Sequence, residues 1–141
     1  IEIFASEQAL VHKLHPLSAV GLGYVKLGQS SNTLSGGESQ RVKLASFLAH
    51  GNSKEKILFI FDEPTTGLHF HDINKLLHSF NALLAQGHSL IVIEHNTDII
   101  RNAEWIIDIG PEGGAQGGQL LYSGEPAGLK KVKASYTGQY L

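Results

Sequence analysis

Residues Ile57-Leu58-Phe59-Ile60-Phe61-Asp62-Glu63-Pro64 read ILFIFDEP. Five apolar residues run without alternation and stop at two carboxylates and a proline. Such a run suits a strand covered on both faces, as in a parallel sheet. Further along, Ile73, Leu76, Leu77, Phe80, Leu83 and Leu84 share one helical face, while Asn74, Lys75, His78 and Asn81 lie away from it. Gly87 ends that helix of residues 73–86, and Leu90 to Ile93 (LIVI) reads as a second buried strand. Strand, helix and strand predict a βαβ unit with a right-handed crossover. The fold class expected is α/β.

Upstream, a helix is expected from Glu38 to about His50, with Val42, Ala45 and Ala49 as one stripe and Leu44 and Leu48 beside it. So broad an apolar surface predicts a well-buried helix, stopped at Gly51-Asn52. Residues 1–20 are mildly amphipathic through Leu10, Leu14 and Leu17, with Pro16 limiting the pattern. Gly21-Leu22-Gly23 breaks the chain, and residues 27–33 are polar and turn-rich. Downstream, Ala103 to Ile109 predicts a third strand. A glycine-rich loop over 110–118 and a return strand from Gln119 to Ser123 complete a hairpin. No internal repeat is present.

The composition is that of a globular protein: 141 residues, 42% hydrophobic and 17% charged, with a net charge of -2. That charge gives no overall basic footprint for nucleic acid. The absence of cysteine excludes disulfides and thiolate zinc sites in this chain, and it fits a reducing compartment. No apolar run approaches the roughly 20 residues that cross a bilayer. The chain opens Ile1-Glu2-Ile3 and contains no methionine, so a segment of a longer protein is expected.

Three stretches carry chemistry. In Leu34-Ser35-Gly36-Gly37-Glu38-Ser39-Gln40-Arg41 (LSGGESQR), Ser35 and Glu38 stand at capping-box spacing before a helix. A cap alone needs no pair of glycines. Glycines let a ligand approach the backbone, and a helix N-terminus favours anions. Ser35, Gly36 and Gly37 are therefore candidate phosphate donors. In the second stretch, Asp62 and Glu63 end a buried strand, the edge where open α/β sheets bind ligands. Asp62 suits Mg²⁺, and Glu63 suits polarising an attacking water. Third, His95 in Ile91-Val92-Ile93-Glu94-His95-Asn96 follows the next strand, where an imidazole can bond a phosphate oxygen or that water.

The order LSGGE, FDEP and EH at strand ends resembles that of the ABC-type ATPases. In that likeness LSGGESQR matches the signature motif, ILFIFDEP the Walker B strand and His95 the switch histidine. GLGYVKLGQSSNTLSGGESQRVKLA, FDEPTTGLHFHDI, VIEHN and WIIDIGPEGG are most similar to the UvrA branch, the damage-recognition ATPases of bacterial nucleotide excision repair. The likeness runs from about Val20 to Leu141. Thr66-Gly67-Leu68-His69 ends in histidine as in that branch, where transporters carry aspartate.

The resemblance implies a partial P-loop NTPase domain with a mostly parallel sheet, flanking helices and a C-terminal antiparallel hairpin. It implies the end of a helical subdomain over 1–33, an ATPase core over 34–127 and a tail over 128–141. ATP and Mg²⁺ are the implied cofactors. Glu63 and His95 are the implied catalytic residues, and Asp62 the metal ligand. Ser35, Gly36, Gly37, Glu38 and Gln40 would bind nucleotide held by another domain. The Walker A lysine and a zinc module would lie outside this chain, so the isolated chain is expected to be inactive. Implied partners are a second ATPase domain, a second subunit, a UvrB-like helicase subunit and damaged double-stranded DNA, in the cytoplasm. Two alternatives stand beside this one: the motor domain of a transporter or chromosome-maintenance ATPase, and a non-catalytic interaction module.

Other features read as structural. His69 and His71 lack a third metal ligand at clear spacing. The loop over 110–118 lacks a lysine and precedes a strand, which suits a hairpin rather than a phosphate loop. Trp105 reads as a packing residue and Lys130-Lys131-Val132-Lys133 as a solvated tail. Arg41 and Lys43 fit either a solvated helix face or a contact to phosphate or a neighbouring domain.

Overall fold

The computed structural model describes residues 2–49, 55–114 and 117–141. It divides into two compact units, residues 1–93 and 94–141. The first contains α1 (Gln8–Ala19), α2 (Gly36–Ala49), β1 (Leu58–Asp62), α3 (Phe70–Ala85) and β2 (Ser89–Ile93). The expected βαβ unit is present: β1 and β2 pair in parallel, with Leu58 opposite Ser89 and Asp62 opposite Ile93.

The crossover helix α3 buries Ile73, Leu76, Ser79, Phe80 and Leu83, the face its periodicity predicts. It starts earlier than expected, at Phe70, with the acidic Asp72 in its first turn favoured by the helix dipole. It ends where Gly87 takes a left-handed φ of 85° and donates its N–H to Leu84 O at 2.8 Å. Leu76 and Leu83 join Val20, Leu22, Leu44, Ala45 and Phe61 in the core. There the Phe61 and Phe80 rings lie 4.9 Å apart.

Three expectations change. Helix α1 runs through Pro16 to Ala19 rather than stopping at it. Losing one N–H costs a helix about 3 kcal/mol, which its packing on α2 and α3 offsets. On α2 the buried residues are Gly37, Arg41, Leu44 and Ala45. Ala49 is exposed and Val42 only partly covered, because the close approach of Gly37 to the chain after β1 sets which face turns inward. Finally, the β1–β2 sheet is covered on one face only. Ile60 and Ile91 are partners on the other face and are 64% and 50% exposed, flanked by exposed Leu58 and Ile93. One crossover helix covers one face, and no other described element of this unit covers the second.

The second unit holds α4 (Thr97–Arg101), β3 (Ile106–Gly110), β4 (Gln119–Gly124) and α5 (Pro126–Leu129). β3 and β4 form the expected antiparallel hairpin, with a register shift between Asp108 and Ile109. Asn96 caps α4, its Oδ1 accepting from the N–H groups of Asp98 (2.9 Å) and Ile99 (3.3 Å). Ile99 and Leu129 are buried in this unit. Trp105 is 63% exposed and bonds Ser123 Oγ at 3.1 Å, so it is not the packing residue expected. The predicted stop at Gly51-Asn52 and part of the loop over 110–118 lie outside the described residues.

Candidate functional site

The capping box forms as its spacing predicts. The Glu38 N–H donates to Ser35 Oγ at 3.2 Å, and the Ser35 N–H donates to Glu38 Oε2 at 2.7 Å. The other Glu38 oxygen accepts the Tyr24 hydroxyl. That bond, and then the Ser35 N–H, hold the Glu38 carboxyl below the usual carboxylate range. Burial, and then the same Glu38 bond, push the Tyr24 phenol up.

Helix α2 begins at Gly36, so both glycines of LSGG lie in its first turn. They do different work. A Cβ on Gly37 would stand 3.1 Å from Glu63 O, 3.2 Å from Thr66 O and 3.3 Å from Arg41 Nη1. Gly37 therefore lets the helix meet the chain after β1. A Cβ on Gly36 would meet nothing within 4 Å. Only Gly36 presents open backbone.

Gln40 and Arg41 reach the same stretch. The Asp62 N–H donates to Gln40 Oε1 at 3.0 Å, and Gln40 Nε2 donates to Asp62 O at 2.7 Å. Arg41, fully buried, donates from Nη1 to Pro64 O and to Thr66 O, the latter at 3.1 Å. Between these bonds Glu63 has a φ of 46°, the one left-handed non-glycine residue described. The Glu63 N–H donates to Ile93 O at 2.9 Å, and Glu63 O accepts from the Thr66 N–H at 3.1 Å.

Gly36, Gly37, Gln40, Asp62, Glu63 and Thr66 line one cleft of about 430 Å³. The structure thus brings together the helix start and the acidic strand end that the sequence marks separately. Ser35 caps the helix, and Glu38 is engaged by Tyr24 and Ser35. His95 belongs to the second unit, where its N–H and that of Asn96 donate to Glu94 Oε2 at 2.9 and 3.0 Å. The His69 and His71 rings stack at 5.3 Å. No group of three metal-binding side chains occurs among the described residues.

The sequence allows Arg41 a solvated helix face or a contact to phosphate or a neighbouring domain; the structure buries it against the turn after β1. Its signal is visible afterwards: Gly37, Arg41 and Leu44 recur at helical spacing, so an arginine sits on the buried stripe.

A parallel strand pair with carboxylates at its carboxyl end, set against a glycine-led helix start, defines an α/β protein with a polar cleft at the strand edge. No protein-family model matches the chain. Along all 141 residues it is 57% identical to UvrABC system protein A of Agrobacterium fabrum and spans 14% of that protein. Identity to the Rhizobium meliloti protein of the same name is 55%, again over the whole chain and 14% of the relative. The crystal structure of UvrA2 from Deinococcus radiodurans matches 94% of this chain and 16% of its own, with a TM-score of 0.86 and 48% identity. The chain belongs to the UvrA family, as a segment about one seventh the length of the relatives it matches.

Proposed function

We propose that this chain supplies the signature helix, the Walker B carboxylates and the switch histidine of ATP sites in a longer DNA-repair ATPase. The observation that carries the reading is the cleft, in which the open backbone of Gly36 and the carboxylates of Asp62 and Glu63 share one polar surface. ATP supplies a phosphoanhydride whose charge a helix N-terminus and a divalent cation offset. Ser35 and Gly36 present that N-terminus to nucleotide held by another domain. Asp62 offers a hard oxygen ligand on a backbone fixed at both polar atoms, which fits Mg²⁺ held otherwise by water and phosphate. Glu63 polarises the attacking water, and His95 bonds a phosphate oxygen or that water.

The uncovered Ile60–Ile91 face supports the reading as part of a larger sheet. Within the whole protein, partners are a second ATPase domain, a second subunit, a UvrB-like helicase subunit and damaged duplex DNA. No described helix is long and apolar enough to cross a membrane. The test is Glu63→Gln in the full-length protein. ATP turnover at this site falls by about 10²-fold or more, and turnover equal to wild type refutes the assignment.

A further inference from the structure

Four backbone groups on the two sides of Glu63 are held by side chains of one helix. Gln40 takes both polar groups of Asp62, and Arg41 takes the carbonyls of Pro64 and Thr66. The residue between them is in a backbone region that L-residues populate only when their surroundings fix it. The chemistry of each side chain matches the task. A carboxamide carries one donor and one acceptor side, so it pairs with a peptide N–H and C=O at once. A carboxylate or an alkyl chain does not. A guanidinium is fixed, planar and rich in donors, which suits two carbonyls of one turn.

Arg41 also carries a cost that simple packing does not explain. It is fully buried, its Nε and Nη2 find no hydrogen-bond partner, and the groups that offset its charge are Glu38 and the Tyr24 hydroxyl, with no close ion pair among the described residues. An apolar side chain would fill that space without burying a charge.

We propose that Gln40 and Arg41 are positioning residues that set the backbone geometry of Glu63, and that Gln40 does not contact nucleotide. This rests on the reading of Glu63 as the residue that polarises the attacking water. One consequence is mechanical. The helix that presents Gly36 and the strand end that presents Glu63 form one unit, so a displacement of α2 is transmitted directly to the carboxylate.

The test uses the full-length protein, with the turnover that Glu63→Gln removes as the reference. Gln40→Leu removes at least nine-tenths of that turnover, a roughly tenfold loss of kcat, with KM for ATP changed less than about threefold. Gln40→Glu, which keeps the acceptor and loses the donor, falls between Gln40→Leu and wild type. In the Glu63→Gln background, Gln40→Leu lowers the residual turnover no further, because its whole effect runs through Glu63. A purely structural role lowers it by the same factor in both backgrounds and overturns the proposal. So does a Gln40→Leu enzyme that keeps kcat and raises KM, the mark of a nucleotide contact. Arg41→Met keeps the aliphatic stem, loses both Nη1 bonds and shows the same kcat loss. If it unfolds, the Gln40 series decides alone. Glu63→Gln with wild-type turnover refutes the functional reading and this proposal with it. An inactive Glu63→Gln beside a fully active Gln40→Leu refutes only the positioning.

Discussion

At the scale of the residue, Gly36 and Gly37 are neighbours with opposite demands. A methyl on Gly36 meets open space and adds helix propensity, so Gly36→Ala stabilises by up to about 1 kcal/mol. Under the proposed function it nonetheless lowers ATP turnover, because the methyl stands where phosphate approaches. Gly37→Ala pushes against the carbonyls of Glu63 and Thr66, the second of which Arg41 holds, and costs about 1–3 kcal/mol in urea unfolding. Glu63 reverses the usual order of small residues: with φ at 46°, Glu63→Gly is more stable than Glu63→Ala by about 1 kcal/mol. Equal stabilities would show that the left-handed geometry stores nothing. Titration follows from the Tyr24–Glu38 bond. Glu38 titrates lower in the folded state, so its contribution is present above the ordinary carboxylate range and lost as pH falls through the lowered value. Tyr24 titrates higher, so its contribution is present below the ordinary phenol value and lost as pH rises. Tyr24→Phe removes the shared bond and flattens the acid limb of a stability–pH curve.

At the scale of the element, legibility follows the range of the interactions. The capping box was readable because Ser35 and Glu38 are three residues apart, and the α3 core because its period repeats within one helix. Leu76 is fully buried there, and Leu76→Ala costs about 2–5 kcal/mol by thermal or denaturant unfolding. The buried Arg41 was not readable, because its partners lie more than twenty residues away in a turn whose shape depends on Glu63. Nor was the open side of the sheet. An unbroken apolar run says that a strand is built to be covered on both faces, but not where the covering comes from. Ile60→Lys in the isolated chain therefore lowers self-association in sedimentation, because it charges the centre of the exposed strip formed with Leu58, Ile91 and Ile93.

At the scale of the whole molecule, the two units keep separate cores and separate parts of the proposed chemistry. The cleft with Asp62 and Glu63 belongs to the first, and His95 to the second. No G-x-x-x-x-G-K-[ST] stretch occurs in the chain. Calorimetry on the isolated 141-residue chain is therefore expected to detect no micromolar binding of Mg-ATP. Heat of binding at that affinity would show that the cleft needs nothing from elsewhere. The fold class was legible at this scale because a βαβ pattern is carried by periodicity alone. The division into two units was not, because nothing in the local pattern around Ile93 marks a boundary.

The Gln40 amide has one more consequence, for the register of the sheet. Along β1 the groups that face β2 alternate with those that face away, and Asp62 faces away along with Leu58 and Ile60. By occupying both polar groups of Asp62, Gln40 stands in for a neighbouring strand at that one position. A further strand laid along this edge can exchange backbone bonds with Leu58 and Ile60, and must end before Asp62. The side chain therefore acts as a stop: it fixes how far the sheet extends toward the carboxylates and keeps their end of the strand open to the cleft.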